Sequence, residues 1–369
     1  MINKLYVYAN TGQLDKLPVS GGQSSARRVI KGLEEMGMNI VPIKKHRNKL
    51  IGKIKHKTEA FLFIWFDMYK IIRTMLFGHR KNTAFLFLTY AGSLVPYELY
   101  LSVLIKLLGY KSIIYWKGGK ILDYYIKGSN SYRWMFIRTM NLQTACLFEG
   151  KDGLDLVKAH AKPLLVYFPN YLADEHIPLQ CPQKPSNEWN IMYFGRINKQ
   201  KNVLAIIEAF NRVSTMLPNQ KIRLTLIGGG GHADYLKKVD EAIASSPYRT
   251  NIERYGLSPF DFIKEKMQSA HFFLFPTETK AEGHSNALNE AMSQGLVPVV
   301  SNLHFNASIV GNDKFVVEGY NPQDYADRIV SLIKSGEMAN YSLEVWERVK
   351  RLYAKSVVLH DVAEQIKNL

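Results

Sequence analysis

The residues whose types and spacing suit chemistry lie in one stretch, Pro276–Met292, PTETKAEGHSNALNEAM. An apolar run, HFFLFP, leads into a polar loop, and a helix is predicted to start near Ser285 or Asn286, both good N-caps. Glu282 stands in the loop before that start, and Glu290 lies about one turn inside the helix. The free N–H groups and positive end of such a helix make an anion site. Two carboxylates beside an anion site repel phosphate. They suit neutral hydroxyls, such as those of a ribose and a sugar.

Two further stretches have ligand-binding character. In Phe194–Lys201, FGRINKQK, a strand is predicted to end at Gly195 and two strong cations follow before a helix. Ligands of open α/β sheets sit at the carboxyl ends of strands. Arg196 presents a bidentate fork for phosphate and Lys201 a point charge. In Ile227–Ala233, IGGGGHA, the chain nominally matches G-x-G-x-x-A at a strand-to-helix turn. The match falls on the second strand of its domain and lacks an obvious ribose-binding acid, so the reading is a tight turn that lets a ligand approach the backbone.

These loops need a scaffold. Strands are predicted at Leu5–Ala9, Met38–Ile43, Ala84–Leu88, Lys111–Tyr115, Ala145–Glu149 and Leu164–Phe168, with helices at Ala26–Met36, Ala60–Phe77 and Tyr97–Leu108. The stretch 173–189 holds Pro178, Pro182 and Pro185 and reads as a linker. Alternation restarts with strands at Asn190–Phe194, Arg223–Ile227, Asn251–Tyr255, His271–Phe275 and Val297–Val300, and helices between them. The expected class is α/β, with mostly parallel sheets in two domains, 1–172 and 190–353, facing a cleft. A final helix, about 354–369, is expected to pack back on the first domain.

The 369 residues exceed one ordinary core. The apolar share of 47% and charged share of 22% exclude a disordered or collagen-like chain. Two cysteines, Cys146 and Cys181, make no disulfide framework and fit a reducing compartment. The start, MINKLYVYAN, does not read as a signal peptide. Residues 1–172 carry 26 Lys/Arg against 10 Asp/Glu, whereas 173–369 carry 22 of each, so the whole net charge of +16 sits in the first half. That implies an anionic partner: nucleic acid, an acidic membrane surface or a phosphorylated substrate. No nucleic-acid motif is present, so nucleic acid is not an expected partner. Lys44–Lys57 carries seven Lys/Arg beside the apolar helix Ala60–Phe77, whose narrow polar stripe is Asp67, Lys70 and Arg73–Thr74. This suggests contact with an anionic bilayer. Glycine and proline interrupt the apolar stretch Thr83–Tyr110, which rejects a membrane span there.

The stretch Glu282–Glu290, followed by EAM-x-x-G-x-P-V-V, resembles the E-x7-E signature of retaining glycosyltransferases of family 4, which have the GT-B fold of two Rossmann-like domains. FGR…K resembles that family's diphosphate-binding loop, Gly228–Gly231 its LIGxG turn, Gly21-Gly22 its first glycine loop, and Phe168-Pro169-Asn170 the end of its first domain. The resemblance implies a nucleotide-diphosphate sugar of UDP or GDP type as substrate, with no cofactor and no metal. Arg196 and Lys201 would hold the diphosphate beside Gly195, Gly228 and Gly230, aided by the N–H groups of Ser285, Asn286 and Ala287. Glu290 would bind the ribose. Glu282, with Gly283 and His284, would bind the donor sugar, and Gly22 would let the first domain close on the phosphate. Lys117 stands where the family often has a sugar-facing His, and is a candidate sugar contact. The implied activity is transfer to a saccharide or lipid-linked acceptor in bacterial surface polysaccharide synthesis, in the cytoplasm or on the inner membrane face. The alternatives are a nucleotide-sugar epimerase of the same fold and a non-enzymatic membrane-binding module.

Overall fold

The computed structural model describes residues 1–12, 21–45, 54–90, 92, 94–279 and 282–369, with the backbone alone for 21–22 and 54–64. Much of the basic run Lys44–Lys57 therefore lies outside the described residues. The chain divides into two units, Met1–Pro169 with Leu359–Leu369, and Asn170–Val358.

Unit 1 runs β1 (Lys4–Ala9), α1 (Gly21–Glu35), β2 (Asn39–Lys44), α2 (Ile54–Leu76), β3 (Thr83–Thr89), α3 (Val95–Leu107) and β4 (Lys111–Trp116). It continues through α4 (Lys120–Lys127), α5 (Asn130–Asn141), β5 (Ala145–Phe148), α6 (Lys151–Val157) and β6 (Leu164–Tyr167). Its parallel sheet has the order β2-β1-β3-β4-β5-β6. Strand β3, TAFLFLT, is buried at every residue. Such a run has no polar alternation because helices cover both faces of a parallel sheet.

Helix α2 turns Met68, Ile71 and Met75 inward and leaves Trp65, Phe66, Tyr69 and Leu76 exposed. Asp67, read as part of a polar stripe with Lys70 and Arg73, is buried and accepts a hydrogen bond from the Tyr8 hydroxyl (2.8 Å). From Trp65 onward the outward face of this helix is thus largely aromatic. Among the described residues no helix is long and apolar enough to cross a membrane.

Unit 2 runs β7 (Trp189–Phe194), α7 (Val203–Met216), β8 (Ile222–Ile227), α8 (Ala233–Ala244), β9 (Ile252–Tyr255), α9 (Phe260–Gln268) and β10 (Phe272–Phe275). Then follow α10 (Asn286–Ser293), β11 (Val297–Ser301), α11 (Asn306–Val310), β12 (Val316–Val317), α12 (Pro322–Lys334), α13 (Met338–Leu352) and α14 (Lys355–Lys367). The sheet is parallel, in the order β12-β11-β10-β7-β8-β9. From β7 the chain builds outward through β8 and β9, then crosses back to lay β10, β11 and β12 on the other side. The order therefore reverses between β7 and β10, where doubly wound sheets open a crevice for ligands.

The stretch 173–189, read as a linker, is laid against unit 2. The Trp346 indole N–H donates to Pro178 O (3.2 Å), and Lys184 Nζ to Met267 O (2.7 Å). Most of α14 groups with unit 1, where the Ile2 N–H donates to Lys367 O (2.9 Å).

Candidate functional site

Three loops leave the carboxyl ends of three adjacent strands, β10, β7 and β8, and they are laced together by backbone. After β7 the Gly195 N–H donates to Ile227 O (3.0 Å) and the Ile197 N–H to Gly229 O (2.9 Å). The Tyr193 hydroxyl holds the Arg196 carbonyl (2.7 Å), and the Arg196 side chain is exposed. Asn198 caps the short turn Lys199–Lys201 by accepting from the Lys201 N–H (3.0 Å). On the β10 side, the Glu278 N–H donates to Gln200 O (2.8 Å) and Thr277 Oγ1 donates to the same carbonyl (3.3 Å).

The glycine run has a different cause from the one read in the sequence. A Cβ on Gly228 would stand 1.8 Å from Gly195 O, and one on Gly231 would stand 1.8 Å from Ile197 O. The backbone that approaches these glycines is the chain's own β7 loop, so the run first serves to seat that loop. Gly230 differs: its φ is +76° and no atom lies within 4 Å of a Cβ position there.

Lys201 and Glu282, 81 residues apart, meet at the β7–β10 crevice in an ion pair. The two side chains are only 10% and 13% exposed. The Lys201 ammonium lies 4.6 Å from the centroid of the Phe275 ring, and Thr277 Oγ1 reaches Glu282 at 3.4 Å. Burial pushes the Lys201 amine below the ordinary lysine range; the Glu282 charge opposes that shift and Arg196 adds to it. A candidate phosphate-binding cation and a candidate sugar-binding carboxylate thus neutralise each other.

Helix α10 begins where predicted, with Ser285 at the N-cap and no side-chain cap bond. Its first N–H groups have no intrahelical partner. Glu290 is half-buried inside the helix. The ring of His284 is turned into the unit: Nε2 pairs with Asn289 Oδ1 (3.0 Å), and the ring packs edge-on against Tyr353 at 4.7 Å. Its carbonyl accepts from Asn170 Nδ2 (2.7 Å). Gly283 lies half-buried in the connecting loop, beside residues 280–281, which are outside the described residues.

In unit 1, Gly22 sits in the first turn of α1 instead of in a loop. Lys117 follows β4 and is 3% exposed. It forms a buried ion pair with Glu149 (3.0 Å), whose other oxygen accepts from the Gly118 N–H (2.6 Å). Burial lowers the Lys117 pKa and Glu149 opposes the shift. Its side chain lies in the unit's interior, paired with Glu149. Among the described residues no three His, Cys, Asp or Glu side chains are grouped as metal ligands.

Sequence reasoning missed the residues that position the loops: Tyr193, Asn198, Gln200 and Thr277. It also missed Leu257, 81% exposed just after β9 beside Gly229. Asn198, three residues before Lys201, was the available signal for the turn cap.

Residues 180–343 match the family described as Glycosyl transferases group 1. No curated protein sequence matches the chain. Sucrose-phosphate synthase from Thermosynechococcus elongatus aligns with a TM-score of 0.71 at 10% identity, over 99% of this chain and 98% of that one. The lipopolysaccharide outer core galactosyltransferase WaaB aligns with a TM-score of 0.70 at 16% identity, over 99% of each chain. HepE of Anabaena, solved with UDP, aligns with a TM-score of 0.68 at 11% identity, over 100% of each. The fold is that of GT-B glycosyltransferases.

Proposed function

We propose that the protein is a retaining, metal-independent glycosyltransferase that moves a sugar from a UDP- or GDP-type donor to a saccharide or lipid-linked acceptor, in bacterial surface polysaccharide synthesis. One observation carries this reading. The β7 loop and the β10 loop deliver a lysine and a glutamate to one point at the reversal of strand order, inside the segment that matches the glycosyltransferase family. HepE with bound UDP and a lipopolysaccharide galactosyltransferase among the structural likenesses support the donor class and the pathway.

In this reading the donor's diphosphate lies between Arg196, Lys201 and the start of α10. Its charge competes with Glu282 for Lys201, and the freed carboxylate accepts hydroxyls of the donor sugar. Glu290 accepts the ribose hydroxyls. As the bond from sugar to diphosphate breaks, negative charge grows on the leaving oxygen. In this reading Arg196, Lys201 and the helix end face that charge, an arrangement that lowers a barrier without a metal. The exposed aromatics of α2 and the basic first half support docking on the inner face of an anionic membrane.

A panel of UDP-, GDP- and ADP-sugars tests the donor reading by thermal stabilisation, since a ligand at a hundred times its Kd adds about 2.7 kcal/mol. Saturable stabilisation by one nucleotide class, lost in Arg196→Ala, is expected; none with any donor overturns the reading. Product formed in EDTA with the donor's anomeric configuration retained supports the mechanism, and an inverted product refutes it. A new glycoside that appears only with acceptor separates transfer from epimerisation.

A further inference from the structure

A cavity of about 480 Å³ opens at the amino ends of β7 and β10, the end of the sheet away from Lys201 and Glu282. Trp189 starts β7 and His271 immediately precedes β10. The remaining wall comes from 181–186 and from Met338, Ser342 and Leu343 of α13. A volume of this size accommodates a small organic molecule.

The polar wall groups are mostly spoken for. His271 Nδ1 accepts from the Asn190 N–H (3.2 Å), so Nε2 carries the proton and donates to Pro185 O (2.8 Å). Ser342 Oγ donates to Gly295 O (2.6 Å). Lys184 is the exception. It places one N–H on Met267 O (2.7 Å), and Glu188, the nearby carboxylate in sequence, is taken by Lys221 and Arg223. Burial pushes its amine down to about 8. The neighbouring Cys181 opposes that shift, but an ammonium set in an apolar wall with no carboxylate beside it is a costly arrangement that a bound anion relieves. The surrounding wall includes the saturated rings of Pro182 and Pro185 and the planar indole of Trp189, an apolar lining that suits an aromatic group. The thiol of Cys181 lines the same wall, 3.5 Å from Ser342 Oγ.

We propose that this cavity is a second small-molecule site, distinct from the candidate donor site, that takes a flat aromatic monoanion whose carboxylate or sulfonate pairs with Lys184. The inference does not rest on the glycosyltransferase reading.

Cys181 supplies the reporter, because Cys146 is 0% exposed in the folded protein. Two disulfide reagents are compared on the full chain: 5,5′-dithiobis(2-nitrobenzoate), an aromatic carboxylate, and neutral 2,2′-dithiodipyridine. In each case the Cys181 thiolate attacks the reagent's S–S bond, a mixed disulfide forms, and the second half leaves as a thiolate. The thiol proton goes to solvent. The anionic reagent is expected to label at a rate that saturates with concentration. Lys184→Met should lower the ratio of anionic to neutral labelling by about tenfold, as loss of one charge-assisted contact implies. Lys184→Arg should preserve the ratio. A non-reactive aromatic monoanion, 8-anilinonaphthalene-1-sulfonate, should protect the wild-type thiol from both reagents. Cys181→Ser should abolish the signal. An unchanged ratio in Lys184→Met, or no protection of the wild type, overturns the proposal; the protection arm stands even if the variant fails to fold.

Discussion

Replacing Lys201 by Met removes the cation of the crevice while keeping an unbranched stem over the Phe275 ring. The structure sets the size of the effect. The pair's side chains are 10% and 13% exposed, so Lys201→Met strands a nearly buried Glu282 carboxylate with Thr277 as its remaining named partner. Breaking a buried pair from one side costs about 3–5 kcal/mol, and the residual exposure places this one near 3. For a unit of this size that corresponds to a fall in Tm of roughly 6–12 °C. Adding Glu282→Gln removes the stranded charge and should restore much of the stability, because a neutral buried pair carries no such penalty. Catalysis should behave differently. Loss of a group aimed at charge that develops in the transition state costs about 3–4 kcal/mol, a hundred- to thousand-fold in kcat, and the double variant does nothing to replace it. Calorimetry and steady-state kinetics on Lys201→Met, Glu282→Gln and the pair separate the two effects. If the double variant regains kcat along with Tm, or if Lys201→Met keeps kcat within tenfold of wild type, Lys201 acts only as the counter-ion of Glu282 and the diphosphate assignment fails.

Arg196→Ala should collapse kcat, whereas Glu290→Gln should raise the donor KM more than it lowers kcat, because a ribose contact is present in both ground and transition states; donor-dependent kinetics read the split. Gly231→Ala should lower Tm by several degrees because its methyl meets Ile197 O, while Gly229→Ala, with Leu257 at an ordinary 3.4 Å, should be nearly neutral in the same melts. Co-sedimentation should show binding to anionic liposomes that weakens with salt and falls in Trp65→Ser/Tyr69→Ser; equal binding to neutral vesicles would sink membrane docking. The folded Lys184 amine, near 8, binds protons less well than the unfolded one, so wild-type stability should rise as pH climbs from about 8 toward 10.5. Lys184→Met lacks that increment, and melts from pH 7 to 10 in a Cys181→Ser background, with His271 the other titratable neighbour, should show its advantage over the parent shrinking.

The core strands were legible because parallel strands are buried on both faces. Runs such as Ile191–Phe194 and Phe272–Phe275 leave little ambiguity when turn residues bound them. Helix α7, Val203–Met216, is legible because its apolar residues recur at helical spacing. Helices α4, α5, α6, α11 and α12 lie outside the sequence reading. In α5, NSYRWMFIRTMN, aromatics and cations share every face, and only Phe136, Thr139 and Met140 are buried. Helix α12 carried usable signals, an Asn321 cap and Pro322 in the first turn, that went unused.

The site was legible in its parts but not in its pairing. Residue type and local spacing marked Arg196, Lys201, Glu282 and Glu290, because a cation after a strand and an acid before a helix are local patterns. That Lys201 and Glu282 touch depends on β7 and β10 being neighbours, which is settled by a crossover spanning β8 and β9. Burial misled the reading in the same way elsewhere. Lys117 and Asp67 look in sequence like charges offered to a ligand or to water, yet Glu149 and Tyr8, distant along the chain, hold them inside unit 1. A charged side chain declares its chemistry in sequence but not its counter-ion. The same logic singles out Lys184: Lys201 is paired with a carboxylate whereas Lys184 meets a backbone carbonyl, so the cavity it lines is the one whose chemistry suits an anion.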